Sequence, residues 1–247
     1  MSLKKGVLFI VFFIAFSCYA QTTILFIGNS ITYVNDLPQT FKKLCDENNK
    51  LFDITMVAFP GYSLINHLTK IRVPTDNPNL VWTKRVSNND TVVPESIKQI
   101  QSKKWDYIYL QDREYEEDST EFAVQKIRKL SQDSKIMIFE NYMYDSRWSK
   151  KYDHRKKKAN TREFKRIAKL INADVIPASY FFEKIKKKHS SELLYDETMH
   201  PKYFGTIVIA ILIYKTIYPH EKFSFNCETF KITDKEWKIL KKIIKKN

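Results

Sequence analysis

A chain of 247 residues, 43% of them hydrophobic, carries enough apolar material for one well-packed domain. Its formal charge of +14 raises the local concentration of anionic partners, but the basic residues are spread over several clusters (residues 150–158, 184–188 and 235–246). No nucleic-acid motif accompanies them, which argues against a nucleic-acid partner and leaves solvated Lys-rich helix faces or an anionic glycan or membrane surface.

Residues 1–20 form a separate object. Lys4 and Lys5 make a basic start, residues 7–16 an apolar stretch, and Cys18-Tyr19-Ala20 a small-residue cleavage site before Gln21. This pattern predicts a secretory signal peptide, too short and wrongly flanked for a membrane span, and hence a periplasmic or secreted protein. A lipoprotein acylated at Cys18 is the rival reading. Removal of the segment lowers the charge to +12 and leaves Cys45 and Cys227, which an oxidising compartment would allow to pair. With no CxxC, and with His67, His154, His189 and His220 lacking regular partners, neither a metal nor a cofactor is implied.

The remaining chain, residues 21–247, reads as one domain. An apolar run, Ile24 to Ile27, breaks at Gly28 and is followed at once by Asn29 and Ser30, as a buried strand ending in a turn would be. Asp36-Leu-Pro38 opens a helix running to about residue 48. Residues 52–59 read as a strand closed by Pro60-Gly61, and residues 62–71 as a short helix. Residues 72–90 are polar and irregular and read as an insertion or lid. A helix over 94–102 leads to a strand over 105–110, which ends in Gln111-Asp112-Arg113. The helix over 119–130 is expected to turn Phe122, Ile127 and Leu130 inward. A strand over 135–139, a helix over 155–171, a strand over 174–177 and a helix over 180–188 follow. Asp196-Glu197-Thr198-Met199-His200-Pro201 then precedes a helix over 202–218 that is apolar all round in its middle. It is too short to span a membrane and reads as a buried core helix, so no integral membrane segment is expected. A basic amphipathic helix over 235–246 closes the chain. Strand and helix alternate, which predicts an α/β fold: a three-layer α/β/α sandwich around a parallel, flavodoxin-like sheet.

In such a sheet, residues just beyond the carboxyl ends of the strands gather along one edge. Gly28-Asn29-Ser30, Gly61, Gln111-Asp112 and Asp196-Glu197 with His200 all fall there. Taken singly, each has an ordinary reading: Ser30 as a helix cap, Gly61 as a turn glycine, His200 as a residue at a helix start, and His67 and His154 as surface residues. A phosphate-cradling loop at Gly28 would give His200 no role.

Taken in order, these blocks resemble the SGNH (GDSL-type) hydrolase family, and within it the exported bacterial branch with GNS at the nucleophile. The resemblance runs from residue 24 to about residue 218. It implies Ser30 as nucleophile, His200 as general base and acid, and an oxyanion hole made by the N–H groups of Ser30 and Gly61. The family's G-x-N-D block is missing, and Gln111 stands as the substitute amide donor. The acid is either Asp196, four residues before His200 and the preferred type, or Glu197 at the usual spacing of three. Asn29, Asp112, Arg113, Tyr142 and Trp148 are candidate substrate-binding residues.

The chemistry needs these types. A serine hydroxyl becomes nucleophilic when a base takes its proton, imidazole can do so near neutral pH, and a carboxylate fixes the tautomer. The implied activity is hydrolysis of a short acyl ester, an acetyl ester of a carbohydrate or glycan before others. A lipid or general carboxylesterase or thioesterase, or a catalytically silent glycan-binding protein with the same fold, are the alternatives.

Overall fold

The computed structural model describes residues 21–73, 82–85, 93–112, 117–142, 154–198 and 200–244. The expected signal peptide lies outside the described residues. Five parallel strands form the central sheet: β1 (Thr22–Gly28), β2 (Phe52–Ala58), β5 (Tyr107–Leu110), β6 (Lys135–Phe139) and β7 (Ala173–Ile176), in the order β2-β1-β5-β6-β7. Chain order reverses between β1 and β5, so the crevice at their carboxyl ends is the switch point at which open sheets of this kind bind ligands.

The sheet is buried on both faces because its strands are continuously apolar. In β1, Ile24 and Phe26 turn to one side and Leu25 and Ile27 to the other, all fully buried. On the first side lie α2 (Leu37–Glu47), α7 (Ala178–Lys186), α8 (Tyr203–Ile217) and α9 (Asp234–Ile244). On the second lie α3 (Leu64–Thr69), α4 (Glu95–Ser102), α5 (Glu117–Leu130) and α6 (His154–Leu170). The three expected layers are therefore present. Helix α8 is buried from Phe204 through Lys215, in keeping with its all-round apolar sequence. Among the described residues no helix is long and apolar enough to cross a membrane.

Two readings of the sequence need correction here, and one left open is answered. Residues 70–73 and 82–85 are strands, β3 (Lys70–Val73) and β4 (Trp82–Arg85), paired as an antiparallel two-stranded sheet within the stretch read as the end of a helix and an irregular insertion. Phe122 is 54% exposed, whereas Ala123, Val124 and Ile127 are buried. The buried stripe of α5 runs through Thr120, Val124 and Ile127 at helical spacing, and Phe122 falls off it. Cys45 and Cys227 are both free thiols, and burial on α2 pushes the Cys45 thiol well above its usual range.

Where helices end inside the fold, side chains take over their unpaired backbone groups. The Arg128 guanidinium donates to the carbonyls of Ser131, Gln132 and Ser134 beyond α5 and to those of Ile171 and Asn172 beyond α6, binding two helix ends into one corner.

Candidate active site

The turn after β1 is built by close packing. A Cβ on Gly28 would lie 2.2 Å from Thr32 Oγ1 and 2.8 Å from Gln111 Oε1, so only glycine fits without displacing its neighbours. Asn29, buried, caps α1 (Ser30–Tyr33) by accepting from the Ile31 N–H at 3.1 Å. Its Nδ2 donates to the Tyr62 carbonyl at 2.9 Å, which fastens the Pro60-Gly61 turn beside the serine turn. Gly61 has φ +64°, a conformation that side-chain-bearing residues rarely adopt. A cavity of about 270 Å³ beside this turn is lined by Phe59, Tyr62, His67, Lys70 and Lys98, among others.

Gln111 is fully buried and its amide is committed within the protein. Oε1 accepts from the Asn29 N–H at 2.9 Å and from Thr32 Oγ1 at 3.0 Å, while Nε2 donates to the Asp112 carbonyl. This arrangement holds the serine turn against β5. It does not aim the Gln111 amide outward as the missing asparagine of the G-x-N-D block would be expected to do.

His67 supports the same turn from the opposite side. Its Nε2–H donates to the Gly28 carbonyl at 2.8 Å, which leaves Nδ1 to accept from Ser96 Oγ at 2.7 Å. It is 1% exposed, not the surface residue expected, and burial lowers its pKa to about 4.

His200 reaches Ser30 from 170 residues away, with its Nε2 2.8 Å from Ser30 Oγ. Its loop is a narrow hairpin. Tyr195 and Pro201 form an isolated antiparallel bridge, the Asp196 N–H donates to the His200 carbonyl at 3.0 Å, and the Lys202 N–H donates to the Leu194 carbonyl at 2.9 Å. Gly205, in the first turn of α8, permits this approach: a Cβ there would sit 2.1 Å from the Leu194 carbonyl oxygen. Under the hairpin, Tyr195 stacks on Tyr142 with ring centroids 5.6 Å apart, and Tyr142 in turn packs on Phe182 at 4.2 Å.

The Asp196 carboxylate folds back over its own loop. Oδ1 accepts from the N–H of Thr198 at 2.8 Å, the N–H of His200 at 3.1 Å and the Thr198 hydroxyl at 2.6 Å. The Thr198 hydroxyl also lies 2.5 Å from His200 Nδ1. Partial burial raises the pKa of Asp196, but the bonds from Thr198 and His200 and the nearby imidazole outweigh it, so the net shift is downward. Glu197 is exposed on the same turn.

Ser30, Gly61, Asp196 and His200 thus converge at the carboxyl edge of the sheet, as their order in the sequence suggested. Other candidates are placed differently. Asn29, Asp112 and Tyr142, expected to bind substrate, are 2%, 3% and 5% exposed. Asn29 joins the two turns. Asp112 takes the Leu64 N–H at the start of α3 and the Thr120 hydroxyl, and Tyr142 fills the aromatic stack beneath the His200 loop. The polar groups of Asn29 and Asp112 are bonded within the protein, as buried polar groups generally are. Arg113 and Trp148 lie outside the described residues. Thr198, His67 and Asn35 are the contributors that sequence reasoning missed. The Thr two residues before His200 was the one local signal available, since a hydroxyl at that spacing can turn back on both neighbours. Among the described residues no cluster of His, Cys, Asp and Glu is suited to a metal ion.

The five-stranded parallel α/β fold is shared with solved structures that include a lipase/acylhydrolase, a GDSL-like lipase and an acetylxylan esterase. A lipase/acylhydrolase from Enterococcus faecalis superposes with a TM-score of 0.56 at 13% identity, covering 83% of this chain and all of its own. A Parabacteroides merdae protein described as a GDSL-like lipase gives 0.57 at 10% identity, covering 79% of this chain and 95% of its own. A catalytic mutant of an acetylxylan esterase from Geobacillus stearothermophilus gives 0.55 at 14% identity, covering 84% and 99%. No family model and no curated protein matches the sequence.

Proposed function

We propose that this protein is an exported serine esterase that removes short acyl groups, acetyl in particular, from a carbohydrate or glycan. The observation that carries the reading is the 2.8 Å contact between Ser30 Oγ and His200 Nε2, made by two residues that no local structure brings together. In the reaction, His200 Nε2 takes the Ser30 proton as Oγ attacks the ester carbonyl. The oxyanion is held by the N–H groups of Ser30, at the first position of α1, and Gly61, each worth roughly 3 kcal/mol in comparable sites. Asn29 leaves the Ser30 N–H to this task, because its cap bond goes to Ile31. His200 then gives the proton to the leaving alkoxide, and the alcohol departs. Water attacks the acyl-Ser30 ester with His200 again as base, and the free acid and Ser30 are restored.

Several features support a glycan ester. One structural relative is an acetylxylan esterase. The cavity lined by Phe59 and Tyr62 also presents Lys70, Lys98 and Glu95, a mixed aromatic and charged lining suited to a polar sugar. The net charge of the chain is strongly positive, and its first twenty residues have the pattern of an export signal. A lipid or general carboxylesterase is the second reading, favoured by the Enterococcus faecalis relative.

The test is acetate release from a panel of acetylated glycans by wild type and Ser30→Ala, with a p-nitrophenyl ester series from acetyl to long acyl chains. Turnover of acetyl esters that vanishes in Ser30→Ala is expected. Preference for long chains would move the assignment to the lipid class. Absence of turnover, together with no fluorophosphonate labelling of Ser30, would leave a silent binding protein.

A further inference from the structure

We infer that Thr198 is a positioning residue of the esterase site: its hydroxyl couples the Asp196 carboxylate to His200 and so sets which imidazole nitrogen faces Ser30. The inference rests on the serine-esterase reading and adds a fourth member to its chain.

The direction of each hydrogen bond follows from what each group can do. An ionised carboxylate only accepts, so the bond between Thr198 Oγ1 and Asp196 Oδ1, at 2.6 Å, is donated by the threonine. A hydroxyl has a single hydrogen, so Thr198 can meet His200 Nδ1, at 2.5 Å, only as an acceptor. Nδ1 therefore carries the ring proton. Nε2 is left bare, 2.8 Å from Ser30 Oγ, where it can accept the serine proton. When His200 takes that proton, the positive imidazolium remains bonded through Thr198 to the carboxylate.

The spacing of the loop gives Thr198 this role. With four residues from Asp196 to His200, the carboxylate spends Oδ1 on the backbone N–H groups of Thr198 and His200 and so shapes the turn. The Thr198 side chain spans the gap from carboxylate to ring. Asp196 remains exposed, which spares it the cost of burying a charge beside the imidazole.

The experiment measures kcat on p-nitrophenyl acetate and fluorophosphonate labelling of Ser30 for wild type, Thr198→Val, Thr198→Ala, Thr198→Ser, Asp196→Asn and the Asp196→Asn/Thr198→Val pair. Thr198→Val and Thr198→Ala are expected to lower kcat about 100-fold with little change in KM, the low end of what general-base assistance supplies. Thr198→Ser, which keeps the hydroxyl, is expected to restore most of the rate. Because the carboxylate acts through the hydroxyl, the double variant should fall no further than the worse single variant. Thr198 is exposed, and a melting temperature for each variant separates loss of coupling from loss of fold.

Wild-type rates in Thr198→Val, or no rescue by serine, would overturn the coupling while leaving the esterase reading intact. Full additivity in the double variant would do the same. Failure of the wild type itself to turn over esters or to be labelled would overturn the esterase reading, and the role of Thr198 with it.

Discussion

The side-chain amide of Asn35 donates to the carbonyl of Pro201 at 2.6 Å, joining the linker after the serine helix to the residue that follows His200. Asn35 has φ +55°, in the left-handed region that asparagine tolerates better than most side chains, so the backbone there is set to aim the amide. The two halves of the site come from opposite ends of the chain, and this bond fixes the distance between them. Asn35→Ala is expected to cost about 1 kcal/mol of stability and to lower kcat about tenfold through misplacement of His200. Kinetics on a short ester alongside thermal unfolding checks it. An unchanged kcat would mean that the hairpin holds its place without the tether.

Gly205 bears on the same geometry from below. Alanine there would put a methyl carbon 2.1 Å from the Leu194 carbonyl oxygen, a backbone atom that cannot swing aside. The hairpin must lift from α8, carrying His200 with it. Gly205→Ala should lower kcat by about 100-fold, the scale of an ångström-sized misplacement, with a lower melting temperature. Normal activity would show that the first turn of α8 can move instead.

Gln111 separates two roles by which quantity changes. If its amide holds the serine turn, Gln111→Leu leaves the Asn29 N–H and the Thr32 hydroxyl without their buried acceptor, at a cost of about 1–3 kcal/mol for each group left unsatisfied. The expected result is a clear loss of stability in urea titration. Unchanged stability with a sharply lower kcat would instead make Gln111 an oxyanion donor.

His67 gives a pH signature. Its folded pKa of about 4 lies below the ordinary 6.5, so between these values the unfolded chain binds the extra proton. The contribution of neutral His67 is complete above pH 6.5 and declines as the pH falls towards 4, by about 1.4 kcal/mol for each unit. The stability advantage of wild type over His67→Gln should shrink across that window and stay flat above it. A constant difference from pH 7 to pH 4 would show that His67 is not buried as a neutral ring.

The parts of this molecule that could be read from sequence are those with a period or a punctuation mark. The run Ile24 to Ile27 before Gly28 is apolar on both faces because β1 is covered on both faces. The apolar α8 is equally plain, since a helix without a polar side has nowhere to sit but the core. The order of Ser30, Gly61 and His200 was legible because parallel strands bring their carboxyl ends to one edge. What escaped was decided by single hydrogen bonds between distant segments. Nothing around His67 announces a bond to the Gly28 carbonyl, 39 residues away. The exposed Phe122 of α5 and the β3–β4 pair escaped for a related reason, since each depends on what the neighbouring elements cover. Where the Asp196 carboxylate falls in its loop depends on geometry that no spacing rule contains, and the contacts of Thr198 exist only once the loop is folded.

The serine turn is gripped from three directions: by Gln111 from β5, by His67 from α3, and by Asn29 reaching to Tyr62. None of these grips acts through the serine itself. A graft of residues 28–32 onto another parallel sheet would therefore transfer the hydroxyl without its aim. Redesign of this protein has the converse freedom, because residues outside these grips can be exchanged while the three grips keep Ser30 facing His200.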